Sequence, residues 1–148
     1  MLAALAAVHP VSLHGVSMSL AGPTPPEAAH LQRLAALVRS LRPAMVSEHL
    51  AWSRIGERYE PDLLPFVRNT DALQRVARHV MAMQDALGRT IAVENPSHYL
   101  ALPGHTWDEV DFLQELVRRT GCTLLVDVNN VHLSAHNLGF DAADWLAR

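Results

Sequence analysis

Thiol chemistry is almost absent from this chain. Cys122 is the only cysteine, so no intramolecular disulfide and no cysteine-based zinc cluster can form. Lysine is missing altogether: all 12 basic residues are arginine, a compositional bias rather than a phosphate site. Net charge is −3 and the isoelectric point about 6.3, so there is no basic footprint for nucleic acid. Apolar runs stop well short of the roughly 20 residues a membrane span needs. Glycine-rich phosphate loops are missing, with neither G-x-G-x-x-G nor a Walker sequence. No serine sits in a G-x-S-x-G context, which leaves an acyl-transfer nucleophile unsupported. Tandem repeats and low-complexity stretches are also lacking.

What is present can build a core. The 148 residues are 49% hydrophobic and 18% charged, enough for one domain or a piece of one. Nine histidines and 15 carboxylates leave metal chemistry open. The opening Met1–Val8 has no basic n-region and a short apolar run, so it reads as the last turns of a helix rather than a signal peptide. Asp141–Arg148 reads as the first turns of another helix. The expectation is a single incomplete domain over residues 1–148, cut inside secondary structure at both ends, and cytoplasmic.

Four short apolar segments, 10–14, 44–48, 90–94 and 123–127, have the character of strands in a parallel sheet covered on both faces. Three helical patterns separate them. The first carries Leu31, Leu34, Ala35, Val38 and Leu41 at helical spacing and closes at Pro43. Thr24 and Glu27 have capping-box spacing before it, with Pro25 at the first helical position. The second starts near Thr70, carries Leu73, Val76, Ala77, Val80 and Leu87, and stops at Gly88. The third again has capping-box spacing, Thr106 to Glu109, and runs through Phe112, Leu113, Leu116 and Val117 to Gly121. Strict alternation of strand and helix argues for an α/β fold with right-handed crossovers. The stretch 50–69, with Pro61 and Pro65, is expected to be a long loop over a site.

The residues that end the strands are the informative feature. They are His14, then Glu48-His49, then Glu94 with Asn95-Pro96, then Asp127 with Asn129-Asn130. In a parallel α/β barrel such strand ends converge on one mouth, where active sites sit. Any one carboxylate there is equally a helix cap, and any one histidine equally a hydrogen-bonded structural residue. Four of four strands ending this way favours a shared polar site. Imidazoles with carboxylates suit non-haem iron, manganese or zinc. His14 and His49 are then nitrogen ligands, and Glu94 offers two oxygens. His136, expected in the loop after the fourth strand, is a further candidate ligand or a loop histidine that caps the next helix. Gly15 is expected to let the backbone turn tightly behind a ligand. Trp52 and Tyr59 are candidates to line a peptide pocket, and Cys122 reads as a small buried hydrophobe. His30 and His79 are expected on helices in solvated or packing roles. His9, His98, His105 and His132 receive no role.

Four strings, 13–26 (LHGVSMSLAGPTPP), 47–53 (SEHLAWS), 84–100 (QDALGRTIAVENPSHYL) and 118–141 (RRTGCTLLVDVNNVHLSAHNLGFD), resemble a widespread bacterial uncharacterised protein family. That family includes the iron-dependent enzyme of methanobactin biosynthesis and related cysteine-modifying peptide enzymes. The resemblance covers essentially the whole chain. It implies a partial (β/α)8 TIM barrel of the xylose-isomerase-like kind, holding two or three iron ions. It implies oxidation of cysteines in a ribosomally made precursor peptide by dioxygen, with a partner protein presenting the peptide. Carried over residue by residue, the metal motifs fall on His14, His49, Glu94, Asp127 and His136, with Asn129 as an additional contact. Glu94 and Asp127 are the residues assigned to the chemistry. A whole family member is about twice as long, and its absent C-terminal part supplies further ligands, so this chain alone is expected to be inactive or weakly metal-binding. Two other functions remain open: a divalent-metal isomerase or hydrolase acting on a sugar or phosphate ester, and a non-enzymatic binding module.

Overall fold

A computed structural model describes residues 2–56 and 58–148. A short helix α1 (Leu2–Ala6) leads into strand β1 (Ser12–Gly15) and helix α2 (Ala28–Leu41). Strand β2 (Met45–His49) follows, then strands β3 (Trp52–Ile55) and β4 (Arg58–Leu64) and helix α3 (Thr70–Leu87). The chain continues through β5 (Ala92–Glu94), α4 (Glu109–Thr120), β6 (Thr123–Leu125), α5 (Val128–Leu138) and α6 (Ala142–Ala147).

Strands β1, β2, β5 and β6 form one parallel sheet in that spatial order. Each new strand is added beside the previous one, so the order never reverses. A doubly wound sheet needs such a reversal, whereas steady addition with interposed helices is how a (β/α)8 barrel is built. The architecture is a partial TIM barrel. Helices α2, α3 and α4 lie side by side and cover the sheet face that carries Val46 and Val93. Both are buried with Leu73, Val76, Val80, Met83, Phe112 and Leu116 in one core cluster. The helical faces read from sequence are the buried ones, with Ala35, Val38 and Leu41 buried on α2. Burial at Cys122 agrees with its reading as a small hydrophobe, and burial also pushes its thiol pKa up.

Three local expectations are corrected. Neither capping box forms. Helix α2 has Glu27 at its N-cap position with no side-chain cap, because the Pro25-Pro26 pair holds the preceding backbone extended. Thr24 Oγ1 instead accepts from Arg54. Helix α4 is capped by Asp108, whose carboxylate accepts from the N–H groups of Val110 and Asp111. That releases Glu109 for another contact, described below. The segment expected as a long loop holds an antiparallel hairpin, β3–β4, with an irregular register between Trp52 and Arg54. Trp52 Nε1 donates to Arg54 O within it, and the Tyr59 hydroxyl lies 3.3 Å from Glu27. Trp52, Ile55 and Tyr59 favour extended pairing more than Pro61 opposes it.

Among the described residues no helix is long and apolar enough to cross a membrane.

Candidate metal centre

Side chains alternate across a strand, and in-register parallel neighbours share a face. The pairings His14↔Ser47 and His49↔Glu94 therefore put His14, Ser47, His49 and Glu94 on one face, opposite Val46, Glu48 and Val93. That face lines an open cleft of about 680 Å³ whose walls include Ser12, His14, Ser47, Glu94, Asp127 and Asn129.

Three of the predicted ligands converge at the mouth of this cleft. His14 Nε2 lies 3.2 Å from His49 Nε2 and 3.2 Å from Glu94 Oε2. His49 Nε2 lies 3.7 Å from the same Glu94 oxygen. The two rings meet edge to face with centroids 4.5 Å apart. The orientations of His14 and Glu94 have a cause. Ser47 Oγ sits 2.8 Å from His14 Nδ1 and donates onward to Leu13 O. With Nδ1–H given to Ser47, the lone pair of His14 is left on Nε2. Asn130 Nδ2 donates to Glu94 Oε1 and to Asn95 O, which occupies one carboxylate oxygen and turns Oε2 inward. Asn95 in turn exchanges hydrogen bonds with the backbone of Asp127, tying the ends of β5 and β6 together.

These atoms fit a divalent ion. Two ligands about 2.05 Å from a tetrahedral ion stand about 3.3 Å apart, close to the separations here. His49 Nδ1 is buried with no hydrogen-bond partner, so nothing in the protein claims that ring except what binds at Nε2. Burial, then the neighbouring His14, lowers the His49 pKa against the opposing Asp127 charge, which favours the uncharged ring that a metal ligand requires. Burial raises the Glu94 pKa, the His14 ring opposes this and Asp127 adds to it. Among the described residues, His14, His49 and Glu94 form the one group of three or more side chains close enough to share an ion.

The remaining candidates are placed differently. Asp127 lines the same cleft, but its carboxylate caps α5 through Asn130 N. Asp127→Asn separates the two roles: asparagine caps as well as aspartate, so stability should change by less than about 0.5 kcal/mol. A ligand role would show instead as a fall in bound metal per folded chain. His136 lies in the last turn of α5, not in a loop, and is exposed. It stands outside the converging group. The helix extends over it because Asp127 caps one end and Gly139, at φ 77°, closes the other. Asn129 lines the cleft, but Asn130 is the residue that touches Glu94.

Two buried groups, Glu48 and His98, received no ligand role from the sequence. Glu48 is 2% exposed, and burial pushes its pKa up to about 7. Counting back one residue from His49 along an alternating strand would have placed it on the core face. His98, given no role from sequence, is buried with Nε2 2.6 Å from Glu109 Oε1. Glu109 also accepts from Trp145, while Ser134 Oγ accepts from the His98 N–H. This network clamps the segment after β5 onto α4, α5 and α6. Burial pushes the Glu109 pKa up, but the His98 hydrogen bond, the His98 and Arg68 charges and the Trp145 N–H outweigh it, and the net value lies below 4.5. A depressed folded pKa gives stability that is present above the unfolded value and lost as pH falls through the folded one. The wild type should therefore exceed Glu109→Gln in urea midpoint at neutral pH, with the gap closing as pH falls below the ordinary glutamate range. A gap independent of pH would show that the carboxylate charge contributes nothing.

A parallel-barrel sheet with a two-histidine, one-carboxylate group at the carboxyl ends of its strands defines a TIM-barrel half with a candidate metal centre. Residues 1–148 match the family model described as RiPP precursor modification enzyme MbnB/TglH/ChrH, and the chain belongs to that family. A UPF0276 protein of Caulobacter vibrioides is 57% identical over 148 residues, covering 98% of this chain and 53% of the relative. A UPF0276 protein of Rhizobium meliloti is 52% identical over 139 residues, covering 94% of this chain and 45% of the relative. One from Bordetella pertussis is 50% identical over 138 residues, covering 93% and 48%. The chain spans about half the length of the curated relatives it matches.

Proposed function

We propose that this chain supplies half of an iron-dependent enzyme that uses dioxygen to modify cysteine residues of a ribosomally made precursor peptide. The observation that carries the reading is the convergence of His14 Nε2, His49 Nε2 and Glu94 Oε2 within 3.7 Å of one another, on a chain of the precursor-modifying family. His14, His49 and Glu94 would hold metal, with Asp127 as a further ligand from the cleft wall. Two or three iron ions are proposed for the whole protein, the others held by residues outside this chain; manganese or zinc are the alternatives. Bound iron would acidify a substrate thiol and supply electrons to dioxygen.

The chain's own contribution is positional. Ser47 and Asn130 set the ligand orientations before a metal arrives. A peptide-presenting partner protein is proposed to deliver the substrate cysteine to the cleft that His14 and Glu94 line. Holding the thiol and the metal in one fixed geometry turns an encounter between separate reactants into an effectively unimolecular step.

The same donors also fit metal-assisted hydrolysis or isomerisation of a sugar or phosphate ester, because two histidines and a glutamate are a known hydrolytic zinc set. A non-enzymatic binding module predicts the three side chains pointing apart, opposite to their arrangement here. Oxygen uptake separates the first two. The full-length protein, reconstituted anaerobically with iron, should consume dioxygen only when a cysteine-containing precursor peptide is added. Peptide-independent turnover of a sugar without oxygen would replace the first reading by the second.

A further inference from the structure

Glu48 takes no direct part in the proposed centre, yet it is among the most deeply buried side chains of the chain. We propose that Glu48 is a positioning residue for the metal centre: its carboxylate, seated beneath Gly15 on the core face of the sheet, sets the relative placement of His14 and His49. The inference rests on the metal reading given above.

The geometry is specific. Gly15 and Glu48 are in-register partners on β1 and β2, each one residue away from a proposed ligand on the opposite face, His14 from β1 and His49 from β2. Glu48 Oε1 accepts from the His49 N–H at 3.1 Å, and Oε2 from the Met18 N–H at 3.3 Å. One carboxylate thus binds the backbone of one ligand and the segment that leaves the other. That segment has no slack elsewhere. Ser19 Oγ accepts from Ser53 and Arg54 N–H, Leu20 O accepts from His79 Nδ1–H, and Arg75 donates to Gly22 O. His79 is therefore a packing histidine.

Gly15 makes the seat possible. A Cβ there would stand 2.2 Å from Glu48 Oε2, and the three nearest atoms all belong to Glu48. The glycine is needed for close approach by this carboxylate, not for a tight turn behind a ligand. Because Glu48 is buried and held at both oxygens, it can yield only by giving up a backbone hydrogen bond. A side chain at position 15 would break the Met18 bond and shift β1 against β2, moving the two imidazoles apart on the far face.

The test uses cobalt(II) as the probe with the 148-residue chain, reading affinity from visible ligand-field absorption of the folded protein and stability from thermal melts without metal. Glu48→Gln keeps the volume but replaces one acceptor oxygen with an N–H donor, so one of the two backbone bonds is lost. Gly15→Ala leaves every charge unchanged and displaces the same carboxylate. Both variants should weaken cobalt binding about 10-fold or more, the range seen when groups supporting metal ligands are removed. In a Glu48→Ala background Gly15→Ala should add no further loss, since the atoms it meets are gone. A folded Glu48→Gln or Gly15→Ala protein with wild-type cobalt affinity overturns the proposal. So does a Gly15→Ala penalty that is equal in both backgrounds. If the wild-type chain binds cobalt too weakly to measure, the same variants are read in the full-length protein; no cobalt bound there sinks the metal reading, and this inference falls with it.

Discussion

Replacing His49 and Glu94 together by alanine should empty the metal centre. Three side chains converge there, and the double variant leaves His14 alone. Structural zinc sites release about 10–16 kcal/mol over four ligands, roughly 3 kcal/mol for each. Losing two ligands therefore lowers affinity by about four orders of magnitude. Metal analysis of the full-length protein after anaerobic iron loading and desalting should show markedly less iron per chain in the variant than in the wild type. The metal-free fold should not suffer in parallel. Glu94 is buried and its pKa is raised, chiefly by that burial, so its removal relieves a desolvation cost. A melting temperature held near wild type, with iron lost, is the expected pair of results. Iron retained at wild-type stoichiometry by the double variant would remove the centre from these residues.

Phe112→Ala should have the largest effect on stability. Phe112 is fully buried on α4 and meets Phe66 edge-on, with ring centroids 5.7 Å apart. Truncating a buried phenylalanine costs about 3–5 kcal/mol, against a total of about 5–15 kcal/mol for an ordinary domain. The variant should therefore lose about 3 kcal/mol or more in urea denaturation and populate unfolded chain near physiological temperature. It lies on the helical side of the sheet, away from the cleft, so the fraction that stays folded should bind metal normally. A loss under about 1 kcal/mol would mean that α4 does not pack where the structure puts it.

Much of this architecture could be read from the residues. The β-strands 12–15, 45–49, 92–94 and 123–125 fall within or beside the four apolar segments. Helices α3 and α4 end on glycines in the left-handed conformation, Gly88 and Gly121, as their positions after the last apolar residue require. Helix starts were less legible. Thr24–Glu27 and Thr106–Glu109 satisfy a spacing rule, but proline geometry and a better-placed Asp108 decided the outcome. The hairpin at 52–64 lacked the tight Asn-Gly or Asp-Gly turn that would have announced it.

The sequence by itself determined the alternation of strand and helix and the polar residue at each strand end, because hydrophobic periodicity and local backbone preference act over a few neighbouring residues. It also placed His14, His49 and Glu94 as candidates for one rim. Only the tertiary structure decided that these three meet within a few ångströms, that Asp127 caps a helix on the cleft wall, and that His136 is carried to the exposed end of α5. It likewise decided that Glu48 and Gly15 interlock on the hidden face. Such outcomes depend on the register between strands separated by more than thirty residues, and that register is set by the packing of the whole sheet against its helices rather than by any local signal.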